Sequence, residues 1–286
     1  MIKRAIKHLS RVSDVLFRVL KIEREITIYP DDVFLTSYPR SGNTWSRFLL
    51  ANLTHPQQAI TFVNLERLIP DMYVHSDRDM RNFSRPRILK SHECFDPRYK
   101  RIVYLVRDPR DVAVSNYHWE LKKGSFPDGF PIDEFVPRWM DSLYWPRIGC
   151  WGDHVASWLS TRQGQNNFVM IRYEDLISNT QHELAKVARL LEIEATPERL
   201  SRAIRLSSAD QMRQLEGRQG GRWVQTKYTR QDKPFVRHAS VGGWKSVLPP
   251  QSVECIETAW GQLMRDLGYD LTTEESPQYT GSSVKQ

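Results

Sequence analysis

The stretch that most constrains the fold is an apolar run that leads through a glycine turn into a helical pattern. Residues 33–45 read VFLTSYPRSGNTW, which predicts a strand, a tight turn at Pro39 and Gly42, and the start of a helix. Such a turn leaves several backbone N–H groups unpaired at the positive end of the helix dipole, and Arg40 adds a fixed positive charge there. Further hydrogen-bond donors are the side chains of Ser41, Asn43 and Thr44. The stretch therefore predicts a P-loop-like binding site for phosphate.

This loop differs from the version that binds nucleoside triphosphates, which carries two glycines and a lysine followed by serine or threonine. The motif SYPRSGNTW instead resembles the 5′-phosphosulfate loop of sulfotransferases that use 3′-phosphoadenosine 5′-phosphosulfate (PAPS), which usually reads YPKSGTTW. The resemblance implies that residues 40–45 bind the cofactor, that Arg40 stabilises charge on the transferred group, and that Trp45 holds the adenine. Arg40 and Asn43 stand where the family has lysine and threonine. The alternative interpretation is a capped helix start with an incidental Ser-Gly turn.

The amino-acid composition is typical of a globular protein, but it does not identify the ligand that the protein binds. The 286 residues are 40% hydrophobic and 26% charged, which is enough to bury a substantial core. The net charge of +7 suits a cofactor with several phosphate and sulfate groups, a nucleic acid or an anionic membrane. Three widely spaced cysteines predict neither a disulfide framework nor a zinc site, and no apolar run is long enough to span a membrane. These features favour a soluble protein of the reducing cytoplasm.

Residues 1–28 form a predicted amphipathic helix whose apolar side chains recur at helical spacing, opposite a basic face. Such a helix, over residues 1–26, lies on an anionic membrane surface or packs on its own domain or on a partner, and the pattern leaves these alternatives open. We predict one domain over residues 29–270, without repeats or a linker, and a disordered tail over residues 271–286.

A short segment at residues 87–93, RILKSHE, reads as a brief strand that ends in ionisable groups. It resembles the K-[TS]-H segment of sulfotransferases, which implies that His92 is the general base and that Lys90 contacts the phosphosulfate. Alternation along an extended segment places Lys90 and His92 on one side and Glu93 on the other. The alternative for His92 is a surface or satisfied core histidine.

The second strong motif follows a buried strand predicted over residues 102–106. Asp108 is suited to cap the next helix and Pro109 to occupy its first position. Arg107 and Ser115 keep the spacing of eight residues of the family's 3′-phosphate motif, so the resemblance implies that both bind that phosphate. The alternative is an Arg107 paired with its neighbouring aspartates, Asp108 or Asp111.

The rest of the chain adds weaker signals. The aromatic side chains of residues 117–158 are predicted to be mostly core, with some lining an acceptor pocket, and residues 168–172 predict a strand. Basic residues 213–237 read either as a solvated face or as a mobile lid over an anionic cofactor. By resemblance, the adenine contacts are Tyr173, Ser207 and Ser208. The segment RHASVGGWK at residues 237–245 resembles RKGxxGxWK, which implies 3′-phosphate contacts by Arg237, His238 and Ala239, the last two departing from the family's Lys and Gly.

Strands predicted at 33–37, 87–90, 102–106 and 168–172 alternate with helices and indicate an α/β fold with a central parallel sheet flanked by helices. The resemblance implies transfer of the sulfuryl group of PAPS to a hydroxyl or amine of a small-molecule, lipid or carbohydrate acceptor. Adenosine 3′,5′-bisphosphate (PAP) leaves, and neither a metal nor a nucleic acid is needed. The alternatives are a P-loop kinase-like enzyme and a non-catalytic basic protein that binds nucleic acid or membrane. The oligomeric state stays open, because Pro249-Pro250 replaces a Thr-Val pair of the family's dimer motif.

Overall fold

A four-stranded parallel sheet lies at the centre of the computed structural model, which describes residues 26–237 and 240–272. The strands follow the order β2-β1-β3-β4, and every neighbouring pair is parallel. Their bounds are Val33–Ser37 for β1, Ile88–Ser91 for β2, Arg101–Val106 for β3 and Phe168–Arg172 for β4. The predicted α/β fold is confirmed, and the strand expected at 87–90 lies one residue later.

Eleven α-helices are found within the described residues. They are α1 (Asn43–Thr54), α2 (Phe62–Leu68), α3 (Asp77–Arg81), α4 (Pro109–Lys123), α5 (Ile132–Met140), α6 (Trp151–Arg162), α7 (Tyr173–Ser178), α8 (Thr180–Leu190), α9 (Pro197–Leu206), α10 (Ala209–Gln219) and α11 (Pro250–Asp266). A 3₁₀ turn spans Gly243–Ser246. The N-terminal helix predicted over residues 1–28 and the predicted tail lie almost entirely outside the described residues. In the part that is described, no helix is long and apolar enough to cross a membrane.

Two apolar clusters cover the two faces of the sheet. Along β3, Tyr104 and Val106 belong to one cluster, whereas Val103 and Leu105 belong to the other. A parallel strand that is buried on both faces reads as a continuous apolar run, which is why residues 102–106 were recognisable in the sequence. The prediction that residues 117–158 are mostly core also holds for several large aromatic side chains. Those that are fully buried include Phe135, Trp139, Trp151 and Trp158.

Three helices begin close to the carboxyl edge of the sheet. A turn over residues 38–42 joins β1 to α1, and α7 follows β4 directly. Between β3 and α4, Asp108 caps the helix by accepting a hydrogen bond from Arg110 N, and Pro109 occupies the first helical position, as predicted. Parallel α/β sheets bind ligands at this edge, where loops and helix starts converge.

Candidate active site

A cavity of about 860 Å³ gathers most of the residues singled out in the sequence. It is bordered by the turn after β1, the end of β2, the starts of α4 and α7, and the segment before the 3₁₀ turn. The predicted site residues that line it are Arg40, Gly42, Asn43, Thr44, Trp45, Lys90, His92, Arg107, Ser115, Tyr173 and Arg237. Motifs that are up to about two hundred residues apart in sequence therefore meet at one place. His238 and Ala239 lie outside the described residues.

The turn after β1 has the geometry of an anion-binding loop. Gly42 has φ +98°, and a Cβ atom added there would lie 2.5 Å from Cδ2 of Tyr173, so only glycine fits. No side chain caps α1, and the first hydrogen bond to its cap runs from Ser46 N to Gly42 O. The preceding amides of the first turn are left available to a ligand at the positive end of the helix. Ser41 Oγ and Asn43 Oδ1 are buried and lack a partner among the described residues.

Three arginines crowd together beside this loop. Arg40 is half-buried, and burial together with the charges of Arg107 and Arg237 lowers its pKa to about 10. Burial, followed by the charge of Arg107, also lowers the pKa of Arg237. Arg40 Nε donates to Ser115 Oγ at 3.2 Å, which links the first motif to the second. Because neighbouring guanidinium charges lower the pKa of Arg40 and of Arg237, an anion bound at this place would relieve the repulsion.

Arg107 forms the ion pair that the sequence offered as the alternative, and its role in binding the 3′-phosphate stays a prediction. Its Nη2 atom lies 3.7 Å from Asp111 Oδ2, so the pairing with a neighbouring aspartate exists. The same carboxylate accepts hydrogen bonds from Gly242 N at 2.8 Å and Trp244 N at 3.0 Å, which ties the segment before α11 to α4. The guanidinium also lies 4.2 Å from the ring centroid of Tyr173 and lines the cavity. Arg107 is therefore held in place with its charge turned toward the ligand space.

The aromatic end of the cavity is formed by Trp45 and Tyr173, whose ring centroids are 5.9 Å apart at 74°. Trp45 Nε1 donates to Ser207 O at 2.9 Å, which fixes the indole. The Ser207 hydroxyl accepts from Asn52 Nδ2, and the Ser208 hydroxyl caps α10. Neither serine lines the cavity, so the adenine contact expected of these two residues stays a prediction.

His92 carries the geometry of a base. Its Nδ1 lies 2.6 Å from Ser37 O, and a carbonyl oxygen only accepts, so Nδ1 holds the ring proton and Nε2 keeps a free lone pair. Burial, and then the charge of Lys90, holds the pKa of His92 well below its usual range. Tyr73 OH accepts from His92 N at 3.0 Å, and the two rings stack at 6.0 Å. A neutral imidazole is thus fixed from both sides.

Glu93 lies away from this chemistry. Its carboxylate accepts hydrogen bonds from Tyr73 OH at 3.1 Å and from Arg147 at 3.0 Å, and it does not line the cavity. The alternation that placed His92 with Lys90 and Glu93 on the other side agrees with these positions. Sequence reasoning missed Asp71, Tyr73 and Gln225, which line the cavity beside Lys90 and His92 and belong to no recognised motif.

The basic segment at residues 213–237 begins within α10 and continues as turns over the cavity. Lys122 Nζ donates to Arg230 O at 2.8 Å, and the Glu216 carboxylate accepts from the amides of Phe235 and Val236. These contacts hold the segment, which we call the cavity roof, and its mobility stays a prediction. Among the described residues, no cluster of His, Cys, Asp and Glu side chains is arranged to hold a metal ion.

Comparison with known proteins decides the family. A family model described as a sulfotransferase domain matches residues 30–268. The chain belongs to the sulfotransferase family. This confirms the resemblance found in the motifs, and the prediction of a sulfotransferase with it. The match sets aside the kinase-like and non-catalytic alternatives.

Full-length relatives and a solved structure agree with this assignment. Sulfotransferase 1B1 of dog (Canis lupus familiaris) is 26% identical over 261 residues, covering 86% of this sulfotransferase and 87% of the relative. Sulfotransferase 1E1 of mouse (Mus musculus) is 25% identical over 252 residues, covering 83% and 84%. A mouse sulfotransferase solved in complex with PAP superposes with a TM-score of 0.71 at 22% identity, covering 88% of this chain and 90% of that one. At that identity the superposition shows a shared fold.

Proposed function

We propose that this sulfotransferase transfers the sulfuryl group of PAPS to a hydroxyl group of a small-molecule acceptor, with His92 as the general base. The observation that carries the proposal is the hydrogen bond from His92 Nδ1 to Ser37 O, which leaves Nε2 as a proton acceptor beside the cavity. The bound PAP of the mouse relative supports PAPS as the donor. The three free cysteines support the reducing cytoplasm as its location.

The residues of the cavity fit a cofactor with a phosphate at each end of its ribose. The first-turn amides of α1, with Arg40, suit the 5′ end, because they combine open N–H donors with a fixed charge. Arg107, Ser115 and Arg237 suit the 3′-phosphate, since charge-assisted hydrogen bonds to phosphate are strong. PAPS supplies the sulfuryl group that is transferred and the bisphosphate that leaves.

The chain's own contribution to the reaction is positioning, charge stabilisation and proton removal. His92 Nε2 takes the proton of the attacking hydroxyl, and the lowered pKa of His92 keeps this atom unprotonated at neutral pH. Lys90 and Arg40 stabilise negative charge that develops on the oxygens around the sulfur. No metal is needed for these steps.

The acceptor side of the cavity favours a ligand with an apolar face. Tyr73, Trp119, Trp145 and Ile148 line it, and aromatic walls of this kind bind planar or ring-shaped groups. A screen with labelled PAPS against phenols, alcohols, sugars and amines tests the acceptor class. A transfer product formed only with amines would overturn the proposal of a hydroxyl acceptor.

The base is tested with two alanine variants of adjacent residues. We expect His92→Ala to lower kcat by about 10²–10⁴, the usual contribution of a positioned base, while PAP binding changes little. Glu93→Ala is the matched control and should cost less than about tenfold, because Glu93 acts only through Tyr73 and Arg147. The assignment is wrong if Glu93→Ala is inactive while His92→Ala still turns over.

A further inference from the structure

A buried carboxylate outside the recognised motifs contacts the lysine of the K-S-H segment. Lys90 Nζ lies 2.6 Å from Asp71 Oδ2, and Asp71 has no exposed surface. Gln225 Nε2 donates to the same oxygen at 2.6 Å, and Tyr73 N donates to Oδ1 at 2.9 Å. Both oxygens of the carboxylate are therefore fixed by groups other than the lysine.

The backbone also places this pair. Asp71 and Lys90 face each other in a parallel bridge beside β2. Lys90 N donates to Pro70 O at 2.9 Å, and Met72 N donates to Lys90 O at 3.2 Å. These bonds fix the backbone on both sides of Asp71, and the hydrogen bonds from Tyr73 N and Gln225 hold its carboxylate.

We propose that Asp71 is a positioning residue that aims the Lys90 ammonium at the sulfuryl group in the cavity. A lysine ends in three N–H donors on a flexible four-carbon chain, so a free lysine samples many directions. Asp71 engages one donor, which turns the other two toward a defined part of the cavity that both side chains line. The inference rests on the proposed function, because that function assigns charge stabilisation to Lys90.

The cavity roof takes part in this arrangement through Gln225. Its amide holds the Asp71 oxygen that contacts Lys90, and its neighbour Trp223 is anchored by a hydrogen bond from Nε1 to Glu66 Oε1 at 3.1 Å. The direction of the ammonium therefore depends on a side chain from the roof as well as on β2. We expect removal of the Gln225 amide to reproduce, more weakly, the loss of the carboxylate.

The test measures hydrolysis of labelled PAPS in single turnover, because this reaction needs no identified acceptor. A water oxygen bonds to the sulfur, and the bond from sulfur to the bridging oxygen breaks. Of the two water protons, one passes to the 5′-phosphate of the departing PAP and the other is released with sulfate. We expect Asp71→Asn to lower this rate about tenfold, since misaimed catalytic groups commonly cost between tenfold and a hundredfold. PAPS affinity should stay equal or rise, because a negative charge has been removed beside an anion.

A double-mutant cycle separates positioning from a merely structural role. In the Lys90→Met background, which itself should be slower, Asp71→Asn should change the rate less than about twofold, because no ammonium remains to be aimed. A structural role would give the same loss in both backgrounds and would weaken PAPS binding as well. Asp128→Asn is the control, since it breaks the surface ion pairs of the roof with Arg230 and Lys233 and should leave the rate unchanged.

Two results would overturn this inference while the proposed function stands: an unimpaired Asp71→Asn next to an impaired Lys90→Met, or equal losses in both backgrounds. An unimpaired Lys90→Met would instead remove the role of Lys90 on which both proposals depend. Should Asp71→Asn fail to fold, Gln225→Ala replaces it, with an expected loss of about two- to fivefold. A Gln225→Ala loss that is absent, or that persists in the Lys90→Met background, also contradicts the inference.

Discussion

Gly42 offers a sharp test of how the phosphosulfate loop is built. An added Cβ atom would lie 2.5 Å from Cδ2 and 2.8 Å from Cε2 of Tyr173, whereas carbon atoms pack at about 3.5–4.0 Å. In Gly42→Ala, the ring or the loop must therefore move by about 1 Å. Tyr173 lies against Arg107 and Trp45, so the displacement reaches both the phosphate and the aromatic parts of the cavity.

The matched control is Gly124, which ends α4. It has φ +72°, but nothing lies within 4 Å of an added Cβ atom. Alanine at either position adopts a left-handed conformation that costs about 1–2 kcal/mol. Gly124→Ala should therefore lose that much unfolding free energy, and Gly42→Ala should lose more, because its Cβ atom also overlaps the Tyr173 ring. Only Gly42→Ala should also lose PAP affinity, by about tenfold or more, which corresponds to about 1.4 kcal/mol.

Urea unfolding measures the loss of unfolding free energy in both variants. Calorimetric titration with PAP measures the loss of PAP affinity, which we expect only in Gly42→Ala. The reasoning fails if Gly42→Ala binds PAP as tightly as the unaltered chain. It also fails if Gly124→Ala loses as much affinity, because the effect would then come from general destabilisation rather than from the contact with Tyr173.

Two further predictions concern charge. PAP should raise the melting temperature more than adenosine 5′-phosphate does, and Arg107→Met should shrink the difference; equal shifts in the unaltered chain would contradict the 3′-phosphate role of Arg107. His154 is buried, and burial lowers its pKa to about 3, so the unfolded chain binds a proton below pH 6.5 that the folded chain does not. Its contribution to stability is present above that pH and falls by about 2 kcal/mol on going to pH 5. Urea unfolding at pH 7.5 and pH 5 measures this decrease in unfolding free energy. The decrease should be about 2 kcal/mol smaller in His154→Gln than in the unaltered chain, and an equal decrease in both would refute the reasoning.

Local patterns were sufficient to predict the sheet and most of the elements that border the cavity. The strands β1, β3 and β4 contain apolar runs whose ends are marked by turn or charged residues, and β2 keeps only the apolar pair Ile88 and Leu89 before Lys90. The cap at Asp108 and the proline after it form within one turn of helix, so the start of α4 was also predictable. The loop glycine was readable as a turn, but its contact with Tyr173 was not, because the ring comes from α7.

The remaining site residues depend on long-range contacts that no local pattern records. Asp71 meets Lys90 only because a parallel bridge joins the segment after α2 to β2. Gln225 reaches the same carboxylate from the cavity roof. For Ser207 and Ser208 the local motif suggested a contact that the structure does not show. The family resemblance implies that they contact the adenine, but the Ser207 hydroxyl accepts a hydrogen bond from Asn52 and the Ser208 hydroxyl caps α10.

Arg40 and Lys90 bring different properties to the positive charge of the cavity. Arg40 keeps its proton at neutral pH although burial and neighbouring arginines lower its pKa to about 10. A lysine lowered by the same amount would fall to about 8 and would be partly neutral when the cavity is empty. Arginine therefore holds a full charge among Arg107 and Arg237, but its Nε is bound to Ser115 and its rigid fork cannot follow a moving group. We infer that Lys90, on its flexible four-carbon chain, adds a second charge near the sulfur beside that of Arg40, and that the contact with Asp71 directs it.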